Sequence, residues 1–335
     1  MIVIETDIKK INIQQWSEFV SNHPYGNVFQ TPMMYEAYLK TNGYTPLIFI
    51  AYQDNNIVGV LLSVLIKESG FIKGYFSSRS IITGGPLVLN GNTEYMSELF
   101  KSYNEYVGNK AIYTQIRNQS EQLIYNDVYQ KCGYRFHSHL NFIIPLDGEE
   151  NIWNRIGKGR IKQIKKAEKN NLHIDVYDKE SISDDLILKC YDVIKCVYNH
   201  AKLPLVDVEL MKNVNKYGLL VLFVAKDCCD NILGCRFALT YKDCLYGWYA
   251  GSYEKFYKLY PNDLLIWETL KWGNNNGYKY FDYGGAGEPN KPYGVRSFKQ
   301  QMGGCLVNYG RYELIHNIVK YNIGVCGLKI LKLLK

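Results

Sequence analysis

The chain carries one outline twice. Residues 47–59, Leu-Ile-Phe-Ile-Ala-Tyr-Gln-Asp-Asn-Asn-Ile-Val-Gly, are echoed by residues 221–234, Val-Leu-Phe-Val-Ala-Lys-Asp-Cys-Cys-Asp-Asn-Ile-Leu-Gly. Each copy is a run of β-branched and aromatic residues, a polar Asp/Asn turn, and a second apolar run ending in glycine, which is the pattern of a β-hairpin. The order downstream repeats as well. A helix is predicted over Leu99–Gly108 and a strand over Ala111–Ile116, then again a helix over Leu264–Trp272 and a strand over Tyr278–Tyr283. Such a duplication predicts two similar α/β (α+β) domains, each a mixed sheet flanked by helices. The strand Leu140–Leu146 runs into the turn Asp147-Gly-Glu-Glu, so the expected domains are 1–150 and 151–335. The second should open on a helix over 151–170 and add one or two helices over 181–216. The tail from Ile315 to Lys335 reads as an amphipathic basic helix, broken near Gly324 and Gly327 and packed on the second domain.

Composition narrows the class. With 335 residues, 47% apolar and 21% charged, the chain can bury two cores and contains no low-complexity segment. The first residues lack a basic segment followed by an apolar one, so no signal peptide is expected. No window reaches ~18 uninterrupted apolar residues, so no transmembrane helix is expected either. The nine cysteines form no Cys-x-x-Cys pair, which fits free thiols in a reducing cytosol and no zinc site. The six histidines add no His-x-x-x-His spacing, and no metal is expected. The net charge of +7 favours anionic partners. Much of it sits in residues 155–169, with seven cations and one anion. This segment reads as a helix with Ile156, Ile161 and Ile164 inward and a cationic face for tRNA or lipid phosphate.

The chemistry concentrates between Leu245 and Gly310. Pro261-Asn262-Asp263 opens an apolar helix, where Asn262 or Asp263 can cap and the helix start attracts an anion. The strand 278–283 ends in Asp282-Tyr283-Gly284-Gly285. The carboxylate there can accept an amine proton, and the glycines let a ligand approach the backbone. A basic loop follows, in which Phe298 anchors Lys299 beside the cleft to stabilise a developing oxyanion, while Arg296 grips a phosphate. Cys305 has no histidine obviously placed to activate it, which argues against a cysteine nucleophile. The Arg/Gln-x-x-Gly-x-Gly/Ala loop of typical acetyl-CoA enzymes is missing, and its absence counts against coenzyme A as donor.

These motifs, Asp282-Tyr-Gly-Gly285, Tyr293-Gly294, Phe298-Lys299, Gly303-Gly304 and Gly310-Arg-Tyr312, resemble the second domain of the FemABX peptidyltransferases, relatives of the GNAT N-acyltransferases. Gly26-Asn-Val-Phe-Gln30-Thr31 resembles that family's opening Gln-Ser/Thr element, and Arg160–Glu168 its basic inter-domain helix. The resemblance spans essentially the whole chain and is strongest over 245–312. It implies two tandem GNAT-like domains (the acyl-CoA N-acyltransferase fold) and transfer of an activated acyl or aminoacyl group to a primary amine of a cell-envelope, peptidoglycan-type precursor. It implies Lys299 in the transfer step; taken with the residue chemistry above, Lys299 and Asp282 are the expected catalytic residues, and Arg296, Tyr283, Gly284, Gly285, Tyr293, Asn262 and Gln30 the expected substrate-binding residues. It further implies no resident cofactor, aminoacyl-tRNA or acyl-CoA as co-substrate, and a cytoplasmic protein for which a peripheral place at the acidic inner face of the plasma membrane is open. The sequence departs from the cell-wall ligases at Pro32–Tyr38, which lacks their tryptophan and has its next lysine only at Lys40. It also has no long charged helical hairpin. The alternatives are an acetyl-CoA-dependent N-acetyltransferase of an amino sugar in surface polysaccharide synthesis and a non-catalytic binder of anionic envelope lipid or RNA.

Overall fold

The computed structural model describes residues 1–67 and 77–334. In chain order the elements begin with β1 (Ile2–Glu5), α1 (Ile13–Asn22), α2 (Pro32–Leu39), β2 (Tyr44–Gln53), β3 (Asn56–Ile66), β4 (Arg79–Thr83) and β5 (Leu87–Val88). Next come α3 (Thr93–Val107), β6 (Tyr113–Arg117), α4 (Asn126–Lys131), β7 (Arg135–His137) and β8 (Asn141–Pro145). The second half holds α5 (Glu149–Arg155), α6 (Lys158–Lys169), β9 (His173–Asp178), α7 (Asp184–His200), α8 (Val208–Lys216), β10 (Leu220–Lys226), β11 (Ile232–Tyr241) and β12 (Cys244–Ser252). It ends with α9 (Pro261–Asn275), β13 (Tyr280–Gly285), α10 (Gly294–Gln301), β14 (Cys305–Val307), β15 (Arg311–Ile315) and α11 (Ile318–Leu334).

The duplication is legible in the two sheets. One runs β1-β2-β3-β4-β6-β15-β7, with β5 on β3; the other runs β9-β10-β11-β12-β13-β8-β14, written in the matching direction. Position by position the orders correspond. The two penultimate places are exchanged between the copies: β15, from the end of the chain, fills the slot beside β6, and β8, from its middle, fills the slot beside β13. The compact units are accordingly Met1–Ser138 with Tyr309–Lys335, and His139–Asn308.

This differs from the expected boundary at 150/151. The strand Leu140–Leu146 reads as the last of the first domain, yet β8 pairs with β13 and β14 and so lies in the second sheet. The tail also differs from expectation. It is continuous across Gly324 and Gly327 as α11, and its Tyr321 ring packs edge-on to Tyr113 of β6 at 5.6 Å, in the first unit. Lys335 lies outside the described residues. The predicted helix over 151–170 is two helices, because Ile156 takes an extended conformation between α5 and α6.

Local chemistry sets the elements. The β2–β3 turn uses Asp54 and Asn55, both left-handed (φ 50° and 63°), the demand of a type I′ hairpin. In the second copy the Asp227 carboxylate accepts from the Cys229 and Asn231 N–H groups and folds the longer turn. Each unit has its own core. In the second, Leu264, Leu265, Trp267 and Leu270 of α9 pack with Phe223, Leu245 and Phe281 from the sheet. In the first, Leu99, Phe100 and Tyr103 of α3 pack with Phe49, Ile116 and Tyr312.

Candidate functional site

The two copies differ where β4 meets β6 and β12 meets β13. Both pairs are parallel. The β4–β6 ladder is paired along its whole length, from Arg79↔Tyr113 to Thr83↔Arg117, and the Gly84 N–H continues it onto Arg117 O at 2.9 Å. The β12–β13 ladder holds only Cys244↔Tyr280, Leu245↔Phe281 and Tyr246↔Asp282. Beyond these the strands part. Residues 246–250 are half-exposed although β12 is the middle strand of its sheet, where burial on both faces is the rule. The second unit therefore has an open wedge where the first is closed.

One wall of the wedge is the end of β13 and the loop after it. A glycine is required at 284, whose φ is +72°. The segment predicted as a basic loop is the helix α10, and its two cations turn inward onto backbone. Lys299 donates from Nζ to the carbonyls of Tyr283, Gly284 (3.1 Å) and Gly285 (2.9 Å), so all three ammonium hydrogens are spent. Arg296 donates to the carbonyls of Ala286 (2.9 Å), Glu288 and Pro289 (3.0 Å). One face of a short helix thus fixes six carbonyls between 283 and 289, in addition to the Gly285↔Asn141 pair and the two backbone bonds that Ala286 and Gly287 share with Leu140.

Asp282, at 2% exposure, adds a third tie: its Oδ1 accepts from Asn141 Nδ2 and from the Gly284 N–H, both at 2.8 Å. Burial raises its pKa to about 6; the Gly284 and Asn141 bonds and then the Lys299 charge oppose that rise. Burial pushes Lys299 down to about 7, with the Arg236 charge adding to this and Asp282 opposing it. Because folding raises the Asp282 value above its unfolded one, this group's contribution to stability is greatest below pH ~4 and falls as pH rises to ~6, by roughly 3 kcal/mol in all. Asp282→Asn keeps the Oδ1 acceptor and removes the titration. The unfolding free energy of the native protein minus that of the variant should fall across this interval. A constant difference would show that Asp282 does not titrate there.

The remaining predicted residues separate. Tyr283 is buried, with the Arg236 guanidinium 5.1 Å and the Lys299 ammonium 4.8 Å from its ring centroid. The Tyr293 ring lies against Gly287, where a Cβ would come within 3.3 Å of it. Asn262 does not cap α9: the residue before the helix is left-handed Tyr260, and Asn262 Nδ2 instead donates to Ser252 Oγ at 2.9 Å. Asp263 sits in the first turn of α9, buried and bonded by Arg160 Nη1 at 3.1 Å. The helix start thus already holds a carboxylate of the chain itself. Gln30 lies in the first unit, fully buried. It donates to the carbonyls of Leu62 and Thr83 and accepts from the Leu62 N–H at 2.7 Å, tying β3 to β4.

Sequence reasoning missed Arg236. This arginine in the apolar strand β11 is 5% exposed and reaches toward β13. Gly247 makes room for it: a Cβ there would meet Phe281 at 2.8 Å and Arg236 Nη1 at 3.4 Å. The signal available was a lone cation inside Leu-Gly-Cys-Arg-Phe-Ala-Leu. A separate cavity of about 620 Å³ lies in the first unit between Phe19, His23, Tyr25, Leu89 and Tyr125, and no Asp, Glu, Lys or Arg lines it. No group of side chains suited to hold a metal occurs among the described residues.

Residues 207–293 match a family model described as an acetyltransferase (GNAT) domain. No curated protein matches the chain. Among solved structures, FemX has TM-score 0.72 at 15% identity, covering 93% of this chain and 98% of its own. The C-terminal domain of a putative lysylphosphatidylglycerol synthetase from Agrobacterium fabrum has TM-score 0.60 at 12% identity, covering 95% of each chain. A tandem GNAT protein from the clavulanic acid biosynthesis pathway has TM-score 0.59 at 7% identity, covering 95% and 99%. At these identities the likeness to solved structures is one of fold, and the matched domain adds the class of reaction. The second unit therefore carries a GNAT acyltransferase domain, within a chain whose tandem fold is like that of FemX.

Proposed function

We propose that the second unit moves an aminoacyl group from a charged tRNA onto a primary amine of a cell-envelope precursor of the peptidoglycan type. The observation that carries this reading is the parting of β12 from β13 after three paired residues, beside a backbone stretch fixed by Lys299, Arg296 and Asp282. The amine nitrogen bonds to the activated carbonyl carbon, the carbonyl–oxygen ester bond breaks, and the proton lost by the amine ends on the departing oxygen. The chain's part is to hold the two reactants in line along a rigid wall. Lys299 and Asp282 serve it as positioning residues, because their polar atoms are engaged with backbone and Asn141. Asp263 supports an aminoacyl rather than a coenzyme A donor, since a buried carboxylate in the first turn of α9 competes with a pyrophosphate at that helix start. The exposed Lys158, Lys162, Lys165, Lys166 and Lys169 of α6 present a cationic face to tRNA or acidic lipid. No helix among the described residues is long and apolar enough to cross a membrane, and a peripheral place at the inner face of the plasma membrane suits such an acceptor.

Coenzyme A tests the donor assignment. At ~100 times its dissociation constant a ligand adds roughly 2.7 kcal/mol of stability. Excess coenzyme A or acetyl-CoA should leave the melting temperature unchanged. A rise of several degrees would move the assignment to an acetyl-CoA-dependent sugar N-acetyltransferase.

A further inference from the structure

Arg236 is a buried cation without a counter-ion. Among the described residues, no carboxylate lies within ion-pair distance of it. Its Nε is buried without a hydrogen-bond partner, and its one side-chain hydrogen bond is a long donation from Nη2 to the Tyr283 hydroxyl at 3.5 Å. Its other neighbours are the faces of Phe281 and Tyr283, at 5.7 and 5.1 Å. The surrounding charges do not compensate it. Arg160 takes Asp263 at 3.1 Å, and the buried Asp282 carboxylate is engaged by Asn141 Nδ2 and the Gly284 N–H. A guanidinium held out of water with unused donors is costly, and Gly247 keeps the space that the side chain occupies.

We infer that Arg236 anchors a binding site for one small oxyanion, a carboxylate or phosphate group, in the wedge where β12 and β13 part. The planar fork gives two N–H donors to a single anion and the Tyr283 hydroxyl a third. The anion supplies the missing negative charge next to Lys299. The site itself rests on this geometry. Which reactant carries the anion rests on the transfer reaction proposed above, and for that reaction it selects an amine acceptor with a carboxylate or phosphate close to its nitrogen. Arg236 is then the residue that sets acceptor class.

The test reads binding without turnover, so it stands or falls separately from the transfer reaction. The melting temperature of the full chain is followed in sodium acetate, glycine and sodium phosphate up to about 100 mM, against sodium chloride at matched ionic strength. The wild type should gain about 3 °C with its anion. A response to acetate and glycine alone assigns a carboxylate, and a response to phosphate alone assigns a phosphate. Arg236→Met, which removes the uncompensated charge, should melt above the wild type in chloride and show no anion response. Arg236→Lys, which keeps the charge and loses the fork, should respond less than half as much. A wild type indifferent to all three anions would overturn the inference, and so would an Arg236→Met variant that still responds. Should Arg236→Met fail to fold, an Arg236→Lys variant with the full wild-type response would overturn it equally.

Discussion

Lys299→Met should lower the melting temperature by about 6–12 °C and cut transfer by about 100-fold. Lys299 is 8% exposed, and its ammonium gives its three hydrogens to the carbonyls of Tyr283, Gly284 and Gly285. Methionine keeps the stem but leaves three acceptors without donors. A hydrogen bond to a charged group is worth about 1.5–3 kcal/mol net, and removing a desolvated charge returns part of that. A loss of roughly 3 kcal/mol remains, and at ~2–4 °C per kcal/mol it gives the stated shift. The catalytic loss follows from the same bonds, because a wall that wanders by ~1 Å misplaces the reactants. A lysine that only gripped substrate from solvent would differ in the first result, giving an unchanged melting temperature and a loss confined to activity. Thermal melts and initial rates on one preparation separate the two.

Deleting residues 309–335 should abolish cooperative folding of the first unit although every residue from 1 to 138 remains. The deletion removes β15, which pairs five residues of β6 and three of β7. It also removes Tyr312, fully buried and stacked on Tyr129 at a centroid distance of 3.8 Å. Tyr312→Ala alone should cost about 3–5 kcal/mol, the usual range for a large aromatic cut from a core. Loss of the ladder leaves β6 and β7 as open edges prone to aggregation. Hydrogen exchange across Tyr113–Arg117 reports this directly: protection should vanish in the truncated chain. Retained protection would mean that the first sheet closes without the C-terminal strand.

These expectations also mark what could be read in advance. The duplication was legible because it is written in short-range chemistry: β-branched runs, Asp/Asn turns, and helices at the same spacing in both copies. The parting of β12 from β13 was not legible, since residues 244–252 look like any central strand. The exchange of β8 and β15 was hidden for a related reason. A strand's neighbours are long-range facts, and Asn141–Pro145 has the same alternation whichever sheet receives it. At the site, the residues flagged between 282 and 299 do converge in space. Their tasks differ from the sequence reading because residue type shows that Lys299 and Arg296 can hold an anion, whereas only the fold shows that six carbonyls reach them first. Arg236 escaped because a cation in a strand is conspicuous only once its partner is seen to be missing.

The most direct measurement follows label from two donors in parallel. The purified chain is incubated with a mixture of labelled aminoacyl-tRNAs and, separately, with labelled acetyl-CoA, each with peptidoglycan nucleotide and lipid precursors and with amino sugars as acceptors. Products are resolved by mass. The account predicts label passing from aminoacyl-tRNA to an amine of a peptidoglycan precursor, and its loss in Lys299→Met. Label arriving only from acetyl-CoA, or no transfer from either donor by a cooperatively folded chain, would contradict it.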